Sequence, residues 1–554
     1  MSVVAFLRRL LCLGLILSLT STTYLYLYPI FHGCAFPTPH RTPSQSFLST
    51  VKSHLTNHAS PTAPFRLLAL GDPQLEGDTS LPPHILQHIR PERRTLLQAI
   101  LFPLTRDLPY HLFRLRKQID LWGNDYYLAH IHRTLTWWTT PTHVTVLGDL
   151  LGSQWINDAE FADRARRYWR KVFPSGRRVP DHITSRPPSV EILGADPAWQ
   201  TRIINIVGNH DVGYSGDMTR ARVDRFERAF GKTNWEVRFR HCPRSATETE
   251  VEADCPDDAP EIRLVILDSM NLDSPVLDQS LQADTYAFLN DVIAGSRDVR
   301  DKSTLTVLLT HVPLHKREGV CVDAPMVVYH HPAYGNGGVR EQNHLTPEVG
   351  SAVVLHGVFG MHTSLEGVGG GVGRPGVILT GHDHEGCDVY HHVVERGEGV
   401  GGDGTGEAQV SREWDAVRYA SAAAGALLGN GEPGIREITV RSMMGDFGGN
   451  AGLLSAWWEE DKREWRVEFA NCGLGTQHLW WAAHITVLIT VGVGLAYAIA
   501  LWWEAKREGT ERGELSRVET RTHIAEAKAT ATGSDENQGE GNRMTRRGAK
   551  GRKP

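Results

Sequence analysis

The chain has 554 residues, 58 Lys and Arg against 64 Asp and Glu, and a formal net charge of −6. A hydrophobic fraction of 41% with 22% charged residues excludes a wholly disordered chain and a multi-span transporter. The slightly acidic balance excludes a protein that holds nucleic acid through bulk positive charge, whereas 27 His point to chemistry carried by imidazole.

Residues 1–9 read as a cytosolic N-terminus containing Arg8 and Arg9. Leu10 to Phe31 then carries no charged residue. The run is about 22 residues, long enough to span a bilayer as a helix. The apolar core of a cleaved signal, the alternative, is only about 7–15 residues. The run ends in Tyr24, Tyr26, Tyr28 and Phe31, which suit a membrane interface. Residues 32–64 read as a linker containing Pro and Ser.

Residues 65–478 form the expected main domain. Its apolar runs are Phe65–Leu70, Val144–Leu147, Ile203–Val207, Leu264–Leu267, Leu305–Leu309 and Val377–Leu379. They lack clean alternation, as expected for strands covered on both faces. Residues 172–200, with several Pro and Arg, read as a surface insertion. Arg222 to Phe230 places Val223, Phe226 and Phe230 on one helical face, with Gly231 as a stop. Residues 366–376 and 397–407 are glycine-rich and read as flexible loops. The fold class is therefore α/β, with helices against central sheets.

Leu479 to Trp503 is a second uncharged run, with Trp480 and Trp481 at one end and Trp502 and Trp503 at the other. Aromatic belts at both ends fit a second spanning helix. Residues 504–554 are polar and read as a disordered cytosolic tail. Arg8 and Arg9 precede the first span, and Lys506, Arg507 and Arg512 follow the second. The positive-inside rule then puts both termini in the cytosol and residues 32–478 in the lumen or outside the cell. Six of the seven Cys lie in that stretch, an even number that suits disulfides in an oxidising compartment. Near the end of the tail, Lys550 and Arg552 approximate a retrieval signal for the endoplasmic reticulum, against the plainer reading of a solvated basic end.

The chemistry follows the strands. Asp72 and Gln74 follow the first run; Asp149 follows the second; Asn209, His210 and Asp211 follow the third. His311 follows the fifth, and His382 and His384 the sixth. In open α/β sheets, sites form beyond the carboxyl ends of strands. Carboxylate, amide oxygen and imidazole together suit divalent Mn, Fe or Zn. Seven such donors are too many for one ion and about right for two, which can clamp the attacking and leaving oxygens of a phosphoryl displacement. Because two of these motifs converge on one centre, Cys321 and Cys387, which follow them, are expected to form a disulfide. Cys242 and Cys255 are the expected local pair, and free buried thiols are the alternative.

The order D-x-(H), GD, GNH, H and GHxH resembles the calcineurin-like metallophosphoesterases, over about Phe65 to His392. That resemblance implies two packed β-sheets flanked by helices and a dinuclear centre. Asp72, Gln74, Asp149 and His384 would hold one ion; Asp149, Asn209, His311 and His382 the other, with Asp149 bridging. His210 would protonate the leaving oxygen, oriented by Asp211. Gln74 stands where the family usually has His, and an amide oxygen is a weaker donor than imidazole.

The stretches Gly71–Gly77, Trp122–Tyr127, His311–Leu314 and Thr439–Gly449, together with a span at each end, resemble the fungal and animal group that remodels GPI anchors. That resemblance implies a manganese-dependent phosphodiesterase removing ethanolamine phosphate from a mannose of the GPI glycan, with the site facing the lumen of the endoplasmic reticulum or Golgi. GPI-anchored proteins or the GPI lipid would be the partners. A non-catalytic module binding GPI cargo or a lipid head group, and a lipid-phosphate phosphatase, are the alternatives. A nuclease of the same superfamily fails on the two spans and the acidic balance.

Overall fold

The computed structural model describes residues 2–39, 62–77, 108–242, 255–321, 324–334, 337–397 and 410–532. Most of the expected linker, nearly all of the second glycine-rich loop, and Lys550 and Arg552 lie outside the described residues.

Two sheets flanked by helices make the main unit, Thr23–Trp481. The first has six strands: β16 (Glu464–Gly473), β15 (Asn450–Glu459), β1 (Phe65–Leu70), β2 (His143–Val146), β5 (Arg202–Asn205) and β3 (Arg177–Arg178), in that spatial order. The second has eight: β13 (Val410–Arg418), β12 (Cys387–Gly397), β14 (Gly434–Thr439), β11 (Gly376–Thr380), β8 (Thr304–Leu309), β7 (Glu261–Ile266), β6 (Trp235–Arg240) and β4 (Ser189–Ile192). A separate hairpin joins β9 (Val327–Tyr329) and β10 (Val339–Gln342).

Phe65, Leu67 and Ala69 of β1 belong to one large core cluster, as do Ile262, Leu264 and Ile266 of β7 and Leu305, Val307 and Leu309 of β8. The residues between them, such as Leu68 and Leu308, point the other way and are buried as well. Burial on both faces explains apolar runs without alternation. The inner strands β1, β2 and β5 run parallel, as do β7, β8, β11 and β14. Their carboxyl ends therefore collect the loops that carry the candidate ligands.

Residues 172–200 are not the surface insertion the sequence suggests. They supply β3 to the first sheet and β4 to the second, and send Val179, Ile183 and Trp199 into the core. Pro and Arg mark the turns and edges there but do not prevent the burial of these three side chains.

Of the longer helices, α1 (Val3–Tyr26) and α6 (Gln477–Thr532) flank the chain, with α2 (Leu108–Thr139), α3 (Asp158–Arg167), α4 (Arg220–Phe230) and α5 (Gln279–Ala294) between. α4 buries Val223, Phe226 and Phe230 as expected and stops at Gly231, whose φ is 115°. Three disulfides join Cys34 to Cys472, Cys242 to Cys255 and Cys321 to Cys387, and Cys12 is free.

The second unit pairs Met1–Thr22 with Ala482–Pro554. α1 and α6 each contain a window long and apolar enough to cross a membrane, with mean hydropathy 2.0 and 2.1. Ser18 Oγ lies 2.8 Å from Thr490 Oγ1, and a Cβ on Gly14 would stand 2.7 Å from the same hydroxyl. Small residues thus let the two helices approach. α6 does not end at Trp503, where a disordered tail is expected; it continues to Thr532. Glu, Lys, Arg and Ala are good helix formers, no Pro intervenes, and an i,i+4 pair joins Arg507 to Glu511 at 2.9 Å.

Candidate metal centre

Each candidate ligand sits in a loop leaving a parallel strand. Four of them, Asp72, Gln74, Asp149 and His382, have positive φ, at 43°, 40°, 49° and 75°. Among the described residues only three other non-glycine positions do so. Side chains pay for that conformation, so its concentration here marks backbone strain at a functional site. Gly208 shows how closely the loops meet: a Cβ there would stand 2.3 Å from both the amide nitrogen and Oδ1 of Asp149.

Two groups of side chains converge. Asp72, Asp149 and His384 form one; Asp149, His311 and His382 form the other. Within each, the potential ligand atoms lie within 4.8 Å of one another, and Asp149 belongs to both. Asn209 Oδ1 joins the second group, 3.1 Å from His311 Nε2 and 3.0 Å from His382 Nδ1. Gln74 joins the first. Its Nε2 lies 3.1 Å from Asp149 Oδ2 and 3.1 Å from His384 Nε2. A 180° rotation of the amide would present Oε1 at the same place.

The ring nitrogens are sorted by their partners. A carbonyl can only accept, so the nitrogen facing it carries the proton. His311 Nδ1 donates to Leu147 O at 2.7 Å, which frees Nε2 for the centre. His382 Nε2 donates to Gln342 O at 2.7 Å, which frees Nδ1. Such second contacts are how ligating imidazoles are oriented. The Gln342 carbonyl, on β10, leaves no mark in the sequence because it is backbone.

Asp72 and Asp149 are buried, and among the described residues no Lys or Arg reaches ion-pair distance of either. Burial, with Asp149 nearby, pushes the Asp72 carboxyl up to about 8. Burial opposes ionisation of Asp149 too, but His311 and His210 hold its carboxyl well below the usual range. Burial likewise works against a charged His311, yet Asp149 and Asp72 raise it to about 9; burial, then His311, lowers His382 to about 3. Two buried carboxylates with no Lys or Arg beside them among the described residues, ringed by imidazole and amide donors, fit divalent cations.

His210 lies at the rim, its side chain 37% exposed, with Nε2 3.8 Å from Asp149 Oδ2. Its backbone N–H donates to Asp149 Oδ1 at 2.8 Å. Asp211 does not orient this ring. Its carboxylate instead accepts from the backbone N–H groups of Gly208, Leu150 and Leu151, at 2.9, 3.2 and 3.0 Å. It thereby ties the Asn209 loop to the Asp149 loop, while His210 Nδ1 makes no hydrogen bond.

Further residues brace the loops. Arg164 and Arg167 of α3 donate to Leu75 O and Glu76 O, at 3.1 and 2.6 Å. Ser442 Oγ donates to Asp72 O at 3.0 Å, and the Phe447 ring stands against His384, centroids 4.8 Å apart. Past His311, buried Glu437 accepts from Leu314 N at 2.9 Å and from Lys316 Nζ at 2.9 Å, and pairs with His391. The Ser442 and Phe447 stretch stands out in the sequence through resemblance alone, and Glu437 has no sequence signal.

A double-sheet fold with two metal-capable clusters sharing one carboxylate at the strand ends defines a metallophosphoesterase. No protein-family model matches the sequence. Protein TED1 of Saccharomyces cerevisiae is 30% identical over 539 residues, 86% of this chain and 95% of its own. An uncharacterized protein of Schizosaccharomyces pombe is 27% identical over 382 residues, 67% of this chain and 79% of its own. Metallophosphoesterase 1 of Danio rerio is 23% identical over 293 residues, 50% of this chain and 60% of its own. The chain belongs to the calcineurin-like metallophosphoesterase family, in the group with Protein TED1.

Proposed function

We propose that the chain is a membrane-anchored, luminal phosphodiesterase of the early secretory pathway that removes ethanolamine phosphate from a mannose of GPI anchors. The observation that carries the reaction class is the pair of clusters sharing Asp149. Asp72, Gln74, Asp149 and His384 would hold one divalent ion; Asp149, Asn209, His311 and His382 would hold the other. Manganese is the expected metal for this donor set, with iron or zinc as alternatives. When bound, two such ions neutralise phosphate oxygens and raise the nucleophilicity of water. The protein's own part is orientation and proton transfer. Water oxygen bonds to phosphorus as the phosphorus–mannose oxygen bond breaks; His210 gives its proton to the leaving mannose oxygen, and the proton lost by the water passes to solvent, from which His210 is reprotonated.

The apolar helices support membrane anchoring. Three disulfides, all between residues 32 and 478, support an oxidising lumen. The GPI substrate rests on the resemblance of the Gly71–Gly77, Trp122–Tyr127 and Thr439–Gly449 stretches. A non-catalytic GPI-binding module is kept as second reading by Gln74, whose amide donates to two of the other ligands.

Mass spectrometry of GPI glycans decides between them. Cells lacking the protein should retain ethanolamine phosphate on the glycan; wild type should remove it and Asp149→Ala should not. Unchanged glycans in the deletion strain would remove the enzymatic reading.

A further inference from the structure

Among the described residues, nothing covers an apolar face on the first half of α2. Leu108, Leu112, Leu115, Ile119 and Trp122 are between 47% and 56% exposed. At about 100° per residue they fall within an arc of about 80°. A solvent-exposed apolar stripe of this length is uncommon on a soluble surface.

What the stripe adjoins identifies its occupant. Trp122 lies beside Trp481, ring centroids 6.4 Å apart, and a Cβ on Gly123 would stand 1.8 Å from the Trp481 ring. Trp480 and Trp481 sit where the second apolar run begins. At the other apolar run, Tyr26 packs edge-on against His130 of α2, centroids 4.9 Å apart. Trp138 of α2 donates to Cys34 O at 2.7 Å. The chain segments that leave both apolar runs therefore rest on this one helix. Away from the stripe, Lys117 reaches Glu76 at 2.8 Å, and further along the helix Asp125 pairs with Arg167 at 2.7 Å.

We propose that the first half of α2 is an interfacial membrane helix, with Leu108, Leu112, Leu115, Ile119 and Trp122 inserted among the lipid head groups and upper acyl chains. Trp and Leu on one face with Arg114 and Arg116 to the sides is the composition such helices use, the cations meeting anionic head groups. Lys117 reaches the loop that carries Gln74, so docking holds the metal-site loop at a set position from the lipid surface. A lipid-anchored substrate is then presented without leaving the bilayer. The inference rests on the membrane reading of α1 and α6, and the test separates the two.

The full chain, with Cys12→Ser, is reconstituted in phosphatidylcholine vesicles containing some phosphatidylserine. Single cysteines replace Leu112, Ile119, Arg116 or Leu488, the last within the apolar run of α6, and each is spin-labelled. Accessibility to oxygen, which enters lipid, is compared with that to a nickel chelate, which stays in water. Labels at 112 and 119 should favour oxygen as the label at 488 does, and the label at 116 should favour nickel. Nickel access at 112 and 119 equal to that at 116 overturns the proposal. Shielding from both reagents also overturns it, because protein then covers the face. Nickel access at 488 would instead refute the spanning reading, and this proposal with it.

Discussion

Replacing Asp149 with Ala tests the shared carboxylate most directly. Asp149 is the one residue found in both clusters, whereas Asp72 and His384 belong to the first and His311 and His382 to the second. Ion content should therefore fall from two to none in Asp149→Ala, and from two to one in Asp72→Ala or His382→Ala. The stability effect follows from mass action. An ion at a hundred times its Kd stabilises by about 2.7 kcal/mol, so two ions, each at that excess over its own Kd, give about 5 kcal/mol. Added manganese should stabilise wild type by about 5 kcal/mol, the single-cluster variants by about half that, and Asp149→Ala by almost nothing. Each variant is its own control. Asp149→Ala also leaves His210 N without an acceptor, removes one of the two acceptors of Gln74 Nε2 and relieves the pressure on Asp72, but these effects are common to the metal-free and metal-loaded samples. The assay is elemental analysis with unfolding curves recorded with and without manganese. A full equivalent of ion in Asp149→Ala, or loss of both ions in Asp72→Ala, would refute a bridged pair.

Gln74→His should tighten manganese binding at the first cluster on the order of tenfold, about 1.4 kcal/mol, in a calorimetric titration; unchanged or weaker affinity would show that Gln74 is not a ligand. His210→Ala should keep both ions and lose about 10²–10⁴-fold in turnover, whereas metal loss with activity restored by excess manganese would make its role structural. Glu437 gives a pH prediction: burial works against its charge, but Lys316 and His391 hold the carboxyl down to about 2, from 4.5. A depressed value stabilises the fold above about pH 4.5 and loses that contribution as pH falls toward 2, about 3 kcal/mol in all. Glu437→Gln should flatten this acid slope and, by leaving Lys316 buried without its carboxylate, cost about 3–5 kcal/mol near neutral pH; parallel unfolding midpoints across that range would contradict it.

The candidate ligand set was legible because each member follows a strand buried on both faces, and burial writes itself into composition. Conformation within a turn was not. Asp211 follows His210 directly, which suggests an orienting pair. In the short helical turn Asn209–Val212, however, consecutive side chains diverge, and Asp211 turns back to three backbone amides. The core role of residues 172–200 was hidden because Val179, Ile183 and Trp199 are scattered among Pro and Arg. The pairing of β1 with β15 was equally hidden, since nothing local to Phe65 or Ala456 specifies a partner so distant.

That pairing places the centre late in the life of the chain. β1, which leads into Asp72, lies between β2 and β15, and Gly71 bridges to Ser442. The Asp72 loop lacks the hydroxyl that holds its carbonyl until Ser442 has been made, and one edge of β1 stays open until Asn450–Glu459 follows. At about 5–20 residues per second, the ribosome needs roughly 20–80 s to travel from one strand to the other. Throughout that interval the nascent chain carries Asp72, then Asp149, then His311, while β1 lacks its partner on one edge. A chain cut short before residue 450 therefore lacks the strand that covers one edge of β1.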